Sequence, residues 1–132
     1  MTEAGVRVPV VAAVIRRDGR YLVCRRPRGK RHGGLWEFPG GKVLEGETRS
    51  NAVRRELAEE LALEVIALGS VLFSTSDEGA PFVIEFVEAV ADGTPALHEH
   101  SELGWFTAHE LRALPLAPAD ALFASSIADA KG

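Results

Sequence analysis

Residues 40–63 read GGKVLEGETRSNAVRRELAEELAL. A paired glycine opens the stretch, and Thr48 to Ala62 is helical in character throughout. Val53, Leu57 and Leu61 recur every four residues, so they form one apolar row that faces a core. Glu56 and Glu60 lie on the neighbouring row with Glu59 beside them. Carboxylates at i, i+3 and i+4 repel and weaken a helix, so the cluster needs a reason. A solvated face offset by Arg49, Arg54 and Arg55 is the bland reading. Three features point past it. The cluster abuts Gly40-Gly41, where backbone can approach a ligand closely. It borders the apolar row, at the edge of a core. Its hard oxygens are also the donors that Mg²⁺ or Mn²⁺ takes, and Mg²⁺ favours a few carboxylates plus substrate phosphates.

Outward from the helix, the flanks alternate strands and turns. VRVPVVAAVIRRDGRYLVCRR (residues 6–26) reads as two strands joined at Asp18-Gly19, a tight-turn pair. The polar segment RRPRGKRHGG (25–34) follows, a basic loop. In LWEFPGGK (35–42), Trp36 and Phe38 alternate with Glu37 in a short strand, which Pro39-Gly40-Gly41 breaks. Both aromatics share one face and are expected to be structural. Residues 63–73 and 81–90 read as strands separated by the loop STSDEGA (74–80), and LGWF (103–106) is a short apolar run. Thr107 and Glu110 have the spacing of a capping box for a brief helix. The terminal PADALFASSIADA (118–130) reads as a helix with Pro118 in its first turn. The pattern predicts one α/β domain over residues 1–132, a mixed sheet between helices.

The bulk numbers narrow the function classes. The 132 residues carry 15 basic and 19 acidic side chains, a formal charge of −4, and 46% are hydrophobic. A core is possible, whereas the basic surplus of a duplex-DNA binder is missing. The single cysteine, Cys24, can form no internal disulfide and no thiolate metal cluster. It is most simply a buried strand residue. The N-terminal apolar run is short and interrupted, unlike a leader peptide or membrane span, so a reducing cytoplasm is expected.

The helix and its glycine turn resemble the signature of the Nudix hydrolases, G-x5-E-x7-R-E-U-x-E-E-x-G-U with U aliphatic. Gly41, Glu47, Arg55, Glu56, Leu57, Glu59, Glu60 and Leu63 match in register, and Ala62 stands where the family has glycine. GGLWEFPGGK (33–42), EHSELGWFTAHEL (99–111) and LAPADALF (116–123) are similar to the MutT-type branch, which includes 8-oxo-dGTP diphosphatases and CTP pyrophosphohydrolases. The resemblance thus runs along nearly the whole chain. It implies a Nudix-type α/β/α sandwich around a mixed β-sheet, and Mg²⁺-dependent hydrolysis (Mn²⁺ substituting) of a nucleoside 5′-triphosphate to monophosphate and pyrophosphate in nucleotide-pool sanitation. Glu56, Glu59 and Glu60 would bind metal with the Gly40 carbonyl, while Glu47 and Arg55 would brace loop against helix. Glu99 would be a further metal ligand or a general base, with Glu102 the alternative in register. Arg26 and Arg31 would meet the nucleotide, and Glu37, Phe38 and Pro39 would line base and sugar.

Asp120 bears on specificity. An ionised aspartate only accepts hydrogen bonds, where the asparagine of the 8-oxoguanine-selective branch also donates. A donor edge such as the cytosine amino group is then favoured; a helix cap is the plain alternative. His98 and His100 flank Glu99, a spacing that is weak evidence for zinc. Hydrolases of coenzyme A or ADP-ribose type, and a non-catalytic nucleotide-binding module, are the rival readings. The expected partner is a small nucleotide, with no duplex nucleic acid and no membrane, and the expected state is a monomer or weak homodimer.

Overall fold

The computed structural model describes residues 7–76 and 81–127. Strands β1 (Val8–Val14), β2 (Arg16–Arg17), β3 (Arg20–Arg25), β4 (Trp36–Glu37) and β5 (Gly40–Lys42) precede helix α1 (Arg49–Leu61). Strands β6 (Glu64–Thr75), β7 (Phe82–Asp92) and β8 (Glu102–Phe106) follow, then helices α2 (Ala108–Ala113) and α3 (Pro118–Ser126). Residues 77–80 of the expected loop and 128–130 of the expected last helix lie outside the described residues.

One sheet has the order β5-β1-β7-β6 and is mixed, since β1 pairs with β7 in parallel and the other pairs are antiparallel. In the second, β3 pairs antiparallel with β2, β4 and β8. The β2–β3 turn holds Asp18 and Gly19 at φ 53° and 77°, the left-handed pair that a two-residue hairpin requires.

Alternation along the strands builds two cores. Val11, Ala13 and Ile15 face α1 with Leu22, Cys24 and Val87, against Val53, Leu57 and Leu61. Ala12 and Val14 face the other way with Val23 and Phe86, against Leu111, Phe123 and Ala124 of α2 and α3. The layers are therefore helix, sheet, helix. Trp36 and Phe38 are buried in the second core, where Phe38 packs edge-on against Phe86 and Phe123.

Helix α1 begins as expected: Thr48 Oγ1 accepts the Asn51 N–H at 3.0 Å. It ends where a glycine would end it. Ala62 takes the left-handed conformation itself, φ 57° and ψ 34°, and the Leu63 N–H bonds back to the Leu57 carbonyl at 3.2 Å. The capping box on α2 is formed by both of its bonds.

One expectation is corrected. The Pro39-Gly40-Gly41 break is a bend that starts a new strand, because β5 pairs with β1 through Ala12↔Gly40 and Val10↔Lys42. A Cβ on Gly40 would collide with the Val11 carbonyl oxygen, so only glycine allows this approach. Among the described residues no helix is long and apolar enough to cross a membrane.

Candidate active site

Four elements converge at the C-terminal half of α1. The helix carries Glu56 and Glu60 on its sheet side. β5 brings Gly40 and Gly41, β4 brings Glu37, and the β7–β8 loop brings Glu99 and His100. A cavity of about 230 Å³ is lined by Arg26, Glu37, Gly40, Glu56, Glu60 and Glu99, with His100 in its wall. The Glu56 carboxylate lies where a Cβ on Gly41 would be, so the second glycine makes room for an acid rather than for a turn.

Glu60 is only 4% exposed, and its Oε1 has no hydrogen-bond partner. Its pKa is pushed up to about 9, first by burial, then by the Glu56 hydrogen bond and the charges of Glu56, Glu37 and Glu99. An orphaned, desolvated carboxylate among others is the environment a hard cation relieves. Glu56, Glu60, Glu99 and the Gly40 carbonyl are oxygen donors on one cavity, and this set fits a divalent ion.

Glu59 is not brought together with them. Its side chain is 53% exposed and pairs with Arg55 Nη1 at 3.4 Å on the outer side of the helix. Among the described residues no three carboxylate, imidazole or thiol groups close around a single point. Glu102 is likewise turned away, 55% exposed and 3.4 Å from Arg25 Nη1, whereas Glu99 lines the cavity. Burial raises the Cys24 thiol well above its ordinary value, so it is no nucleophile.

The substrate-side residues occupy two adjoining cavities. Arg26 Nη1 contacts the Glu37 carboxylate at 3.2 and 3.4 Å, and its Nε donates to the Arg31 carbonyl at 2.8 Å. Arg31 lines a wider cavity of about 440 Å³ with Lys42, Phe82 and Ile84. A narrower one, about 170 Å³, is walled by Val10, Phe38, Ile84 and Asp120. Asp120 is 8% exposed and its Oδ2 accepts the Phe38 N–H at 2.8 Å. It therefore ties α3 to the strand end, and more than the plain cap of its helix. Pro39 is structural by its contact: its carbonyl accepts the Ala13 N–H at 2.7 Å.

Sequence reading missed His100. Its side chain is 6% exposed, with Nε2 2.9 Å from Glu37 Oε2 and Nδ1 3.9 Å from Glu60 Oε1. No periodicity marks a buried residue in an irregular loop; its neighbour Glu99 was the available hint. The loop is held to the helix end by Ala96 N–H to Leu61 O at 2.9 Å and by His98 Nδ1 with Glu59 O at 2.9 Å. These bonds satisfy carbonyls that the last turn leaves open.

Residues 6–126 match the NUDIX domain family. The chain belongs to the Nudix hydrolase family. This Nudix hydrolase is 42% identical over 116 residues to the CTP pyrophosphohydrolase of Escherichia coli K12, covering 86% of this chain and 85% of that protein. It is 41% identical over 114 residues to the putative 8-oxo-dGTP diphosphatase 2 of Mycobacterium tuberculosis H37Rv, covering 84% and 81%. Among solved structures it is similar to the E. coli ORF135 protein, with TM-score 0.79, 36% identity and 95% and 91% of the two chains covered. The MutT Nudix hydrolase of Burkholderia pseudomallei gives TM-score 0.79 at 31% identity, covering 92% and 98%. Nudix hydrolases generally need a divalent metal, which agrees with the oxygen-donor cavity beside α1.

Proposed function

We propose that this single domain hydrolyses a nucleoside 5′-triphosphate, preferring a cytosine base, to the monophosphate and pyrophosphate with Mg²⁺. One observation carries the reading. The acidic cavity and the narrow apolar cavity share Arg26, Glu37 and Gly40, so a polyphosphate in the first places its base in the second.

The residues divide the work accordingly. Val10, Phe38 and Ile84 offer apolar surface to a base, and Asp120 offers a carboxylate, an acceptor when ionised. The Arg26 guanidinium suits a phosphate or base edge through its planar fork. Glu56, Glu60, Glu99 and the Gly40 carbonyl would hold Mg²⁺, which when bound supplies charge neutralisation at the phosphate oxygens and acidifies the attacking water. Glu99, on a loop rather than on the helix, is placed to take that water's proton at its carboxylate. Glu59 acts from the outer face, where it pairs with Arg55. The E. coli relative named for CTP supports the cytosine preference, and the relative named for 8-oxo-dGTP sets the alternative.

The test is a panel of canonical and oxidised (d)NTPs with Mg²⁺, assayed for pyrophosphate beside Glu56→Gln. Release with cytosine nucleotides, abolished by the substitution, is expected. A preference for 8-oxo-dGTP over every cytosine nucleotide would overturn the base assignment, and nucleotide binding without turnover would mark a non-catalytic module.

A further inference from the structure

We propose that His100 is a positioning residue for the nucleotide: it holds Glu37, and Glu37 in turn holds the Arg26 guanidinium against the cavity. This inference rests on the triphosphate reading above. Glu37 Oε2 receives two neighbours at once, His100 Nε2 at 2.9 Å and Arg26 Nη1 at 3.2 Å. Arg26 is fixed at its other end by the Nε bond to the Arg31 carbonyl. With either contact to Glu37 lost, the guanidinium keeps one anchor and gains rotational freedom.

The imidazole is built into this position. A loop histidine is ordinarily wet, but His100 is nearly as buried as Glu60. Its desolvation is offset by a bond to a charged acceptor. An ionised Glu37 carboxylate only accepts, so Nε2 carries the proton in that bond. Nδ1 faces Glu60 Oε1 across 3.9 Å, too far for a hydrogen bond, and neither atom has a partner. The grip of the ring is therefore on the substrate side of the cavity. The backbone supports it: Ser101 N–H bonds to the Arg25 carbonyl at 3.0 Å, pinning the loop beside Arg26. Loosening Glu37 and Arg26 weakens nucleotide binding more than it slows the bond-breaking step, so the effect belongs in KM.

The experiment uses the geometry of amides. A glutamine at position 100 places its nitrogen near the site of Nε2, and an asparagine places its nitrogen near that of Nδ1. KM and kcat for CTP with Mg²⁺, and thermal unfolding, are measured for wild type, His100→Gln, His100→Asn and His100→Ala. KM is expected to rise about tenfold in the alanine and asparagine variants, as for loss of one charge-assisted bond, with kcat within about threefold. His100→Gln returns KM to within about threefold of wild type, and in a Glu37→Ala background His100→Ala adds little. Rescue by asparagine as good as by glutamine, an unchanged KM in both lossy variants, or a loss confined to kcat would overturn the inference. Should the alanine variant fail to fold, the glutamine and asparagine pair still decides it. If wild type hydrolyses no nucleoside triphosphate, it is the functional reading that fails. His100 is then judged by NMR: an exchange-protected imidazole Nε2–H signal that disappears in Glu37→Ala supports the contact, and its absence from wild type or persistence in that variant refutes it.

Discussion

Glu47 and Arg55 meet through two parallel contacts, Oε2 to Nε at 2.8 Å and Oε1 to Nη2 at 2.9 Å. The pair joins the loop after β5 to the middle of α1. Glu47 Oε1 also accepts the Leu44 N–H at 2.9 Å, and Arg55 Nη2 donates to the Lys42 carbonyl at 3.0 Å. Two-pronged pairs of this kind fix orientation as well as proximity. The loop that leads from Gly41 into the acidic helix is thereby set by side chains that do not themselves line the acidic cavity.

A pH dependence follows from this pair. Arg55, with help from the Leu44 N–H, lowers the Glu47 pKa from 4.5 to about 2. A carboxyl depressed on folding stabilises above its unfolded value and loses that contribution as pH falls through the folded one. The advantage of wild type over Glu47→Gln in thermal unfolding is therefore expected to be full at pH 6, to shrink below about 4.5 and to vanish near 2. A difference constant across that range would contradict the assignment.

Glu60 runs in the opposite sense. Its pKa is raised to about 9, so its ionisation opposes folding: the contribution is most favourable below 4.5 and is lost as pH rises through 9. Glu60→Gln removes a charge that burial penalises. In metal-free buffer at pH 8 the variant is expected to melt a few degrees higher than wild type, on the order of 2–4 °C per kcal/mol for a chain near this size. Pyrophosphate release is expected to fall at least tenfold. A variant that melts lower in the absence of metal would show that the charge is compensated.

Ala62 is the place where the chain departs from the Nudix signature, and the backbone records the cost. The residue is held left-handed at φ 57°, a conformation that disfavours a Cβ by about 1–2 kcal/mol. Glycine relieves that strain but gains freedom in the unfolded chain. Ala62→Gly is expected to stabilise by roughly 0.5–1 kcal/mol, read as a rise of a few degrees in Tm with unchanged kcat. A lower Tm would mean that the Leu63–Leu57 turn depends on the methyl group.

What the sequence discloses follows the periodicity of its elements. Val53, Leu57 and Leu61 announce their buried row, Thr48 and Thr107 their caps, and Asp18-Gly19 its hairpin, because each is a local rule acting within a few residues. β5 escapes such reading: three residues containing two glycines carry no alternation, and pairing with β1 depends on the backbone space at Val11. His100 escapes for a similar reason, since its burial is set by Glu37, 63 residues away. Glu59 shows the limit of the signature itself. The spacing names three acids, while the helix angle and Arg55 decide which of them enters the cavity.

Asp120 offers the sharpest test of base choice. Its Oδ2 accepts the Phe38 N–H at 2.8 Å, and the amide oxygen of an asparagine can take over that bond. Asp120→Asn should then leave the link between α3 and β4 intact, with Tm near wild type. The amide nitrogen presents a donor in place of an acceptor, which opposes the amino group of cytosine and suits a carbonyl edge. A mispaired buried polar contact costs about 1–3 kcal/mol. The ratio of kcat/KM for dCTP over 8-oxo-dGTP is therefore expected to fall by about tenfold or more. If both substrates lose activity equally, Asp120 serves the fold through Phe38 and base selection lies elsewhere in the cavity; if the ratio rises, the donor–acceptor argument has the wrong sign.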